Sequence, residues 1–123
     1  MSPTSRLSGF HKLSPQDRAQ QVAAFADLTQ KETALLQEGR LSLDQADHMI
    51  ENVVGVFALP LAVATNFSID GRDYLVPMVV EEPSVVAGLS YAARLFRKGG
   101  GFRVSSDEPR MIGQIQVLDL ADP

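Results

Sequence analysis

The sequence has no cysteine in its 123 residues. That excludes disulfide staples, thiolate nucleophiles and Cys-ligated zinc. Basic charge is also short. Eleven Lys and Arg stand against 15 Asp and Glu, a formal net charge of -4. Nucleic-acid binding needs a dense basic surface, so this balance speaks against such a partner. Long apolar runs are missing as well. The longest, from Val53 to Thr65, is broken by Gly55 and Pro60 and is too short to span a bilayer. The opening stretch, Met1 to Lys12, is polar and has no apolar signal core. These absences predict a cytoplasmic chain with no membrane partner.

The composition that remains is 45% hydrophobic and 21% charged, enough apolar material for a folded core. The length allows one domain at most. Ser14, Pro15 and Asp17 form a helix start: a capping hydroxyl, a proline at the first helical position and an acid in the first turn. Val22, Ala23, Phe25 and Ala26 follow at helical spacing. A second helix is expected from Thr29 to Gly39, with Leu35 and Leu36 on its apolar side. A third is expected from Ser42 toward Gly55, burying Ile50, Val53 and Val54.

After Pro60 the period changes. Ala62–Ile69 and Arg72–Val80 are rich in Val, Ile, Phe and Tyr, and Asp70-Gly71 between them is a hairpin signal. A long helix should follow Pro83, with Val85, Val86, Leu89, Ala92, Ala93 and Phe96 on its core face. Arg94, Arg97 and Lys98 suit its C-terminal dipole, and Gly99-Gly100-Gly101 stops it. Met111–Leu118 reads as a final strand. The fold class expected is α+β: a helical N-terminal region, a β-hairpin, a long helix and a last strand.

Val79-Val80-Glu81-Glu82-Pro83-Ser84 carries the chemistry-bearing side chains. Two carboxylates end a strand just before a helix, where free backbone N–H groups can hold an anionic oxygen. Capping alone also accounts for acids and a serine at such a corner. Asp44 and His48 lie one helical turn apart, but two ligands are too few for a metal, and none is expected.

Ile50-Glu51-Asn52-Val53-Val54-Gly55 resembles the Glu-Asn-hydrophobic-hydrophobic-Gly signature of 3-hydroxy-3-methylglutaryl-CoA reductases. Val63-Ala64-Thr65-Asn66-Phe67, Gly71-Arg72-Asp73 and Leu75 to Ser84 follow in an order similar to the class II, bacterial type. Ser5-Arg6-Leu7 and Leu13-Ser14-Pro15 fit the opening, so the likeness extends over nearly the whole chain.

The resemblance implies an oxidoreductase interconverting hydroxymethylglutaryl-CoA and mevalonate with NADH or NADPH, in a homodimer or higher homo-oligomer. It implies that Glu82 is the catalytic glutamate and that Ser84 hydrogen-bonds the hydroxymethylglutaryl group. Glu51 would lie near the substrate and the subunit contact. The segment with His11 and Lys12 would reach toward the CoA phosphates, with His11 where the family carries an arginine. Residues 1–110 would be part of an incomplete large, substrate-binding domain, and 111–123 the start of the nicotinamide-binding domain.

The family's later catalytic lysine, aspartate and histidine have no counterpart here, and no residue is assigned to the nicotinamide. A glutamate free in water has a pKa of about 4.3, so a proton donor needs burial or a neighbouring carboxylate. The chain by itself is therefore expected to be inactive. The alternative is a non-catalytic CoA-binding or subunit-assembly module.

Overall fold

The computed structural model describes residues 3–39 and 41–118. The front is helical. Helix α1, Pro15–Ala26, starts as expected: the Ser14 hydroxyl accepts from the Asp17 N–H at 3.1 Å. Helix α2, Gln30–Glu38, opens on a capping box in which Thr29 and Glu32 satisfy each other's backbone N–H groups. Helix α3, Leu43–Asp47, has a similar box between Ser42 and Gln45.

Helix α3 is far shorter than the run to Gly55 expected from the sequence. Ile50 and Val54, assigned to its buried stripe, are exposed. Five residues cannot hold a helix by backbone bonding alone, and no packed surface extends this one.

Strands β1, Leu61–Ile69, and β2, Arg72–Val79, pair antiparallel. Asp70 and Gly71 both have left-handed φ, 48° and 76°, which is the primed turn that matches strand twist. The register shifts once. Ala64 pairs with Val76 and Phe67 with Tyr74, so Thr65 and Asn66 face Leu75 alone. This is a bulge in β1, and Asn66 takes a left-handed φ of 69° within it.

Helix α4, Val85–Lys98, packs on β1. Ala64 and Ala93 are fully buried, so small side chains occupy both elements where the packing is tightest. The contact stripe of α4 keeps only part of the apolar face read from the sequence: Ala93 is buried and Val85, Val86 and Ala92 are half-buried. Ser90 and Arg97 bond to β1, whereas Leu89 and Phe96 are exposed. A helical period identifies a stripe but not its partner, and here polar side chains meet the bulged strand.

Beyond α4 the chain returns to the hairpin. Phe102 donates to the Ser68 carbonyl at 2.8 Å and stacks on Phe67, with ring centres 5.5 Å apart. Gly101, at φ 85°, makes this approach, since a Cβ there would overlap the Ser68 carbonyl oxygen. The glycine run therefore does more than end the helix. Residues 111–118 form no strand, contrary to expectation, and Met111, Ile112 and Ile115 are exposed. No described strand pairs with them, and an unpaired strand leaves its ladder groups unsatisfied. The remaining residues of the expected second domain, 119–123, lie outside the described part. The α+β class itself is as expected.

Candidate active site

The first residues form a strap across the hairpin. Ser5 is fully buried. Its N–H donates to Asp73 Oδ2 at 2.8 Å, its hydroxyl donates to the Phe67 carbonyl at 2.8 Å, and its own carbonyl accepts from the Asn66 N–H at 2.9 Å. Thr4 Oγ1 donates to the same Asp73 oxygen at 2.9 Å. Arg97, from the last turn of α4, closes the cluster with bonds to Asp73 Oδ1 and Oδ2 at 2.8 and 2.9 Å. Burial pushes the Asp73 carboxyl up. The bonds from Arg97, Ser5 and Thr4, with the Arg97 charge, outweigh this and hold it below the ordinary aspartate value.

Past Ser5 the strap bends into a 3₁₀ turn, Phe10–Lys12, and enters α1. A cleft of about 1700 Å³ opens between this segment and the β1–α4 layer. The strap lends it Arg6, His11 and Lys12. Helix α1 adds Arg18, and α4 adds Arg94. Among the described residues Glu38 is the one acid in its lining. A chain of net negative charge thus gathers four of its Lys and Arg residues in one cleft. Arg94 sits over the Tyr91 ring at 5.1 Å, and Arg18 Nε is buried with no acceptor among the described residues.

The bulge supplies polar groups to the same cleft. The Thr65 N–H donates to Ser90 Oγ at 3.0 Å, and Asn66 Nδ2 donates to the Thr65 hydroxyl and the Ser90 carbonyl, each at 3.1 Å. All three residues line the cleft. Bulges re-aim side chains in this way beside binding sites.

The five residues singled out from the sequence divide. His11, Lys12 and Ser84 line the cleft. Ser84 is the residue before α4, with a left-handed φ of 68°, and its hydroxyl makes no cap bond. Capping therefore does not explain it. Glu82 lies in the turn between β2 and α4, exposed, and no hydrogen bond from the described residues reaches it. Glu51 is exposed in the segment between α3 and β1 and does not line the cleft. Arg94 was read as serving the helix dipole, Arg6 and Thr65 only as parts of motif blocks, and Arg18 and Ser90 were not singled out. Nothing in linear spacing brings them together.

Asp44 and His48 remain on the exposed surface, with His48 Nδ1 2.7 Å from the Asp44 carbonyl oxygen. Among the described residues no three potential ligands gather for a metal. No helix there is long and apolar enough to cross a membrane. A Rossmann-type dinucleotide cradle has a strand, a glycine turn and a helix start in that order. The described strands form an antiparallel hairpin, and the glycine run follows α4. No Rossmann-type cradle stands among the described residues.

The sequence is 56% identical over 121 residues to the 3-hydroxy-3-methylglutaryl-coenzyme A reductase of Archaeoglobus fulgidus, covering 98% of this chain and 28% of that protein. It is 31% identical to a probable reductase of the same name from Borreliella burgdorferi, covering 94% of this chain and again 28% of the relative. The structure matches that of the class II enzyme from Streptococcus pneumoniae bound to NADPH in open conformations. The TM-score is 0.71 at 41% identity, over 78% of this chain and 26% of that one. The chain thus spans little more than a quarter of the length of these relatives. The profile described as hydroxymethylglutaryl-coenzyme A reductase matches residues 14–123, nearly all of the sequence, and the chain belongs to that family.

Proposed function

We propose that this chain forms part of the substrate side of a hydroxymethylglutaryl-CoA reductase, which interconverts hydroxymethylglutaryl-CoA and mevalonate with NADH or NADPH. The observation that carries this reading is the cationic cleft, in which His11, Lys12 and Ser84 converge with Arg6, Arg18 and Arg94. The phosphates of CoA find fixed charge and N–H donors there, including Arg18 Nε, which has no acceptor among the described residues. Ser84, with its hydroxyl free of capping duty, hydrogen-bonds the hydroxymethylglutaryl group.

Glu82 is the catalytic glutamate of this reading, and Glu51 lies toward the substrate and a subunit contact. The groups that would make Glu82 a proton donor come from elsewhere in the assembly. NADH or NADPH supplies the reducing equivalents, and no hydride step is assigned to the residues described. Residues 1–110 belong to the substrate-binding domain and 111–123 open the nicotinamide-binding one.

A second reading, subunit assembly, is favoured by exposed apolar surface. The chain exposes 10847 Å², against about 6,500 Å² expected for a compact monomer of this mass. Phe57, Ile112 and Ile115 are each nearly fully exposed. Such surface is covered in a homo-oligomer.

Calorimetric titration of the 123-residue chain with coenzyme A separates the two readings. Saturable heat that weakens with added salt supports the CoA site. No heat at millimolar ligand removes it and leaves assembly. Turnover of hydroxymethylglutaryl-CoA by the isolated chain would contradict the dependence of Glu82 on groups from elsewhere in the assembly.

A further inference from the structure

The strap that carries Arg6, His11 and Lys12 into the cleft is tied to the sheet at one place. Among the described residues, every hydrogen bond between the first twelve residues and the hairpin or α4 is made by Thr4 or Ser5. Two of these end on a single acceptor, Asp73 Oδ2. Asp73 also binds Arg97, whose other amino group points to Ser5 Oγ at 3.2 Å and to the Asn66 carbonyl at 3.4 Å. The carboxylate therefore joins three parts of the chain: the strap, the hairpin and α4, which brings Arg94 and Ser90 to the same cleft.

Asp73 itself is not in the cleft lining. Its side chain is 15% exposed and consumed by the strap and Arg97. A surface ion pair would not need two further donors from the far end of the sequence. A carboxylate so used sets the position of the segment that supplies those donors.

We propose that Asp73 is a positioning residue for the cationic wall of the cleft, holding Thr4 and Ser5 so that Arg6, His11 and Lys12 share one site with Arg94. Preorganising the wall removes the cost of ordering the strap when a polyphosphate binds. The ligand side of this proposal rests on the cleft being the CoA site. The strap side does not.

The test uses the 123-residue chain with Thr4→Val and Asp73→Asn, amide hydrogen exchange and calorimetric titration with coenzyme A. Thr4→Val removes the bond from Thr4 Oγ1 to Asp73 and the bond that Thr4 Oγ1 accepts from the Arg6 N–H, and leaves the Asp73–Arg97 pair intact. Its Ser5 and Asn66 amides should exchange about threefold faster and its coenzyme A affinity fall by a similar factor, with Ala93 in α4 still protected and the unfolding midpoint unchanged. Asp73→Asn should enlarge both effects to about tenfold. A strap that loosens while affinity stays the same overturns the positioning role, as does unchanged exchange at Ser5 and Asn66 in both variants. A wild-type chain that takes up no coenzyme A overturns the ligand side along with the CoA reading, and the exchange rates still decide whether Asp73 holds the strap. Should Asp73→Asn fail to fold, Thr4→Val carries the decision alone.

Discussion

Arg97 and Asp73 stand 24 positions apart, yet Arg97 Nη2 lies 2.8 Å from one oxygen of the Asp73 carboxylate and 2.9 Å from the other. The side chains are 23% and 15% exposed, respectively, so this is a largely desolvated pair further bonded to Thr4, Ser5, Asn66 and Phe67, not a solvated one. Asp73→Ala leaves the guanidinium without its charge partner and the Ser5 N–H without an acceptor. The expected loss is about 2–3 kcal/mol of unfolding free energy. Urea unfolding measures it, and a loss below about 0.5 kcal/mol would place the pair among ordinary surface ion pairs.

The same pair predicts a pH dependence. The Asp73 carboxyl is held below its ordinary value of 3.8 in the folded chain. The unfolded chain therefore binds the proton more readily. Stability from Asp73 is fully present above about 3.8 and is lost as the pH falls below that value through the lower folded one. The difference in urea midpoint between wild type and Asp73→Asn should shrink over that acidic window. A constant difference from neutral pH into strong acid would contradict the assignment.

Two glycines should respond with opposite sign. Gly101 has a φ of 85° and no room for a Cβ beside the Ser68 carbonyl, so Gly101→Ala should cost about 2 kcal/mol or more and loosen the Phe102 return. Gly88 lies inside α4 with open space around it, so Gly88→Ala should stabilise by up to about 1 kcal/mol. Thermal melts of the two variants check both. A gain on Gly101→Ala would mean that the chain does not need this close approach.

His11 faces the cleft from the 3₁₀ turn, where the resemblance expects an arginine. His11→Arg adds a permanent charge and a planar fork of donors. One added charge-assisted bond of about 1 kcal/mol tightens coenzyme A binding about fivefold. The gain should shrink at high salt, since the site is open to solvent. Titration at two salt concentrations reads both effects, and an unchanged affinity at low salt would exclude His11 from the phosphate contacts.

Much of the fold was legible because it is local. Ser14-Pro15 and Thr29 with Glu32 begin helices through bonds made within one turn. Asp70-Gly71 makes its hairpin because both residues tolerate a left-handed backbone. The errors fall where a partner had to be inferred. Ile50 and Val54 looked buried because a helical stripe was extended without knowing what it would face. Met111–Leu118 looked like a strand because alternation says nothing about where a second strand is.

The sequence by itself determined the element order from α1 to α4, the turn, the helix starts and the family, since caps, periodicity and motif order all act over short stretches of chain. Only the tertiary structure decided which side of α4 meets β1, that Thr65 and Asn66 form a bulge, and that Arg97 is spent on Asp73 and not on a helix dipole alone. It alone also decided that Arg6, Lys12, Arg18 and Arg94 share one cleft. Those are contacts between residues far apart in the chain. They depend on register and on the burial of charge, and neither is written in the spacing of residue types.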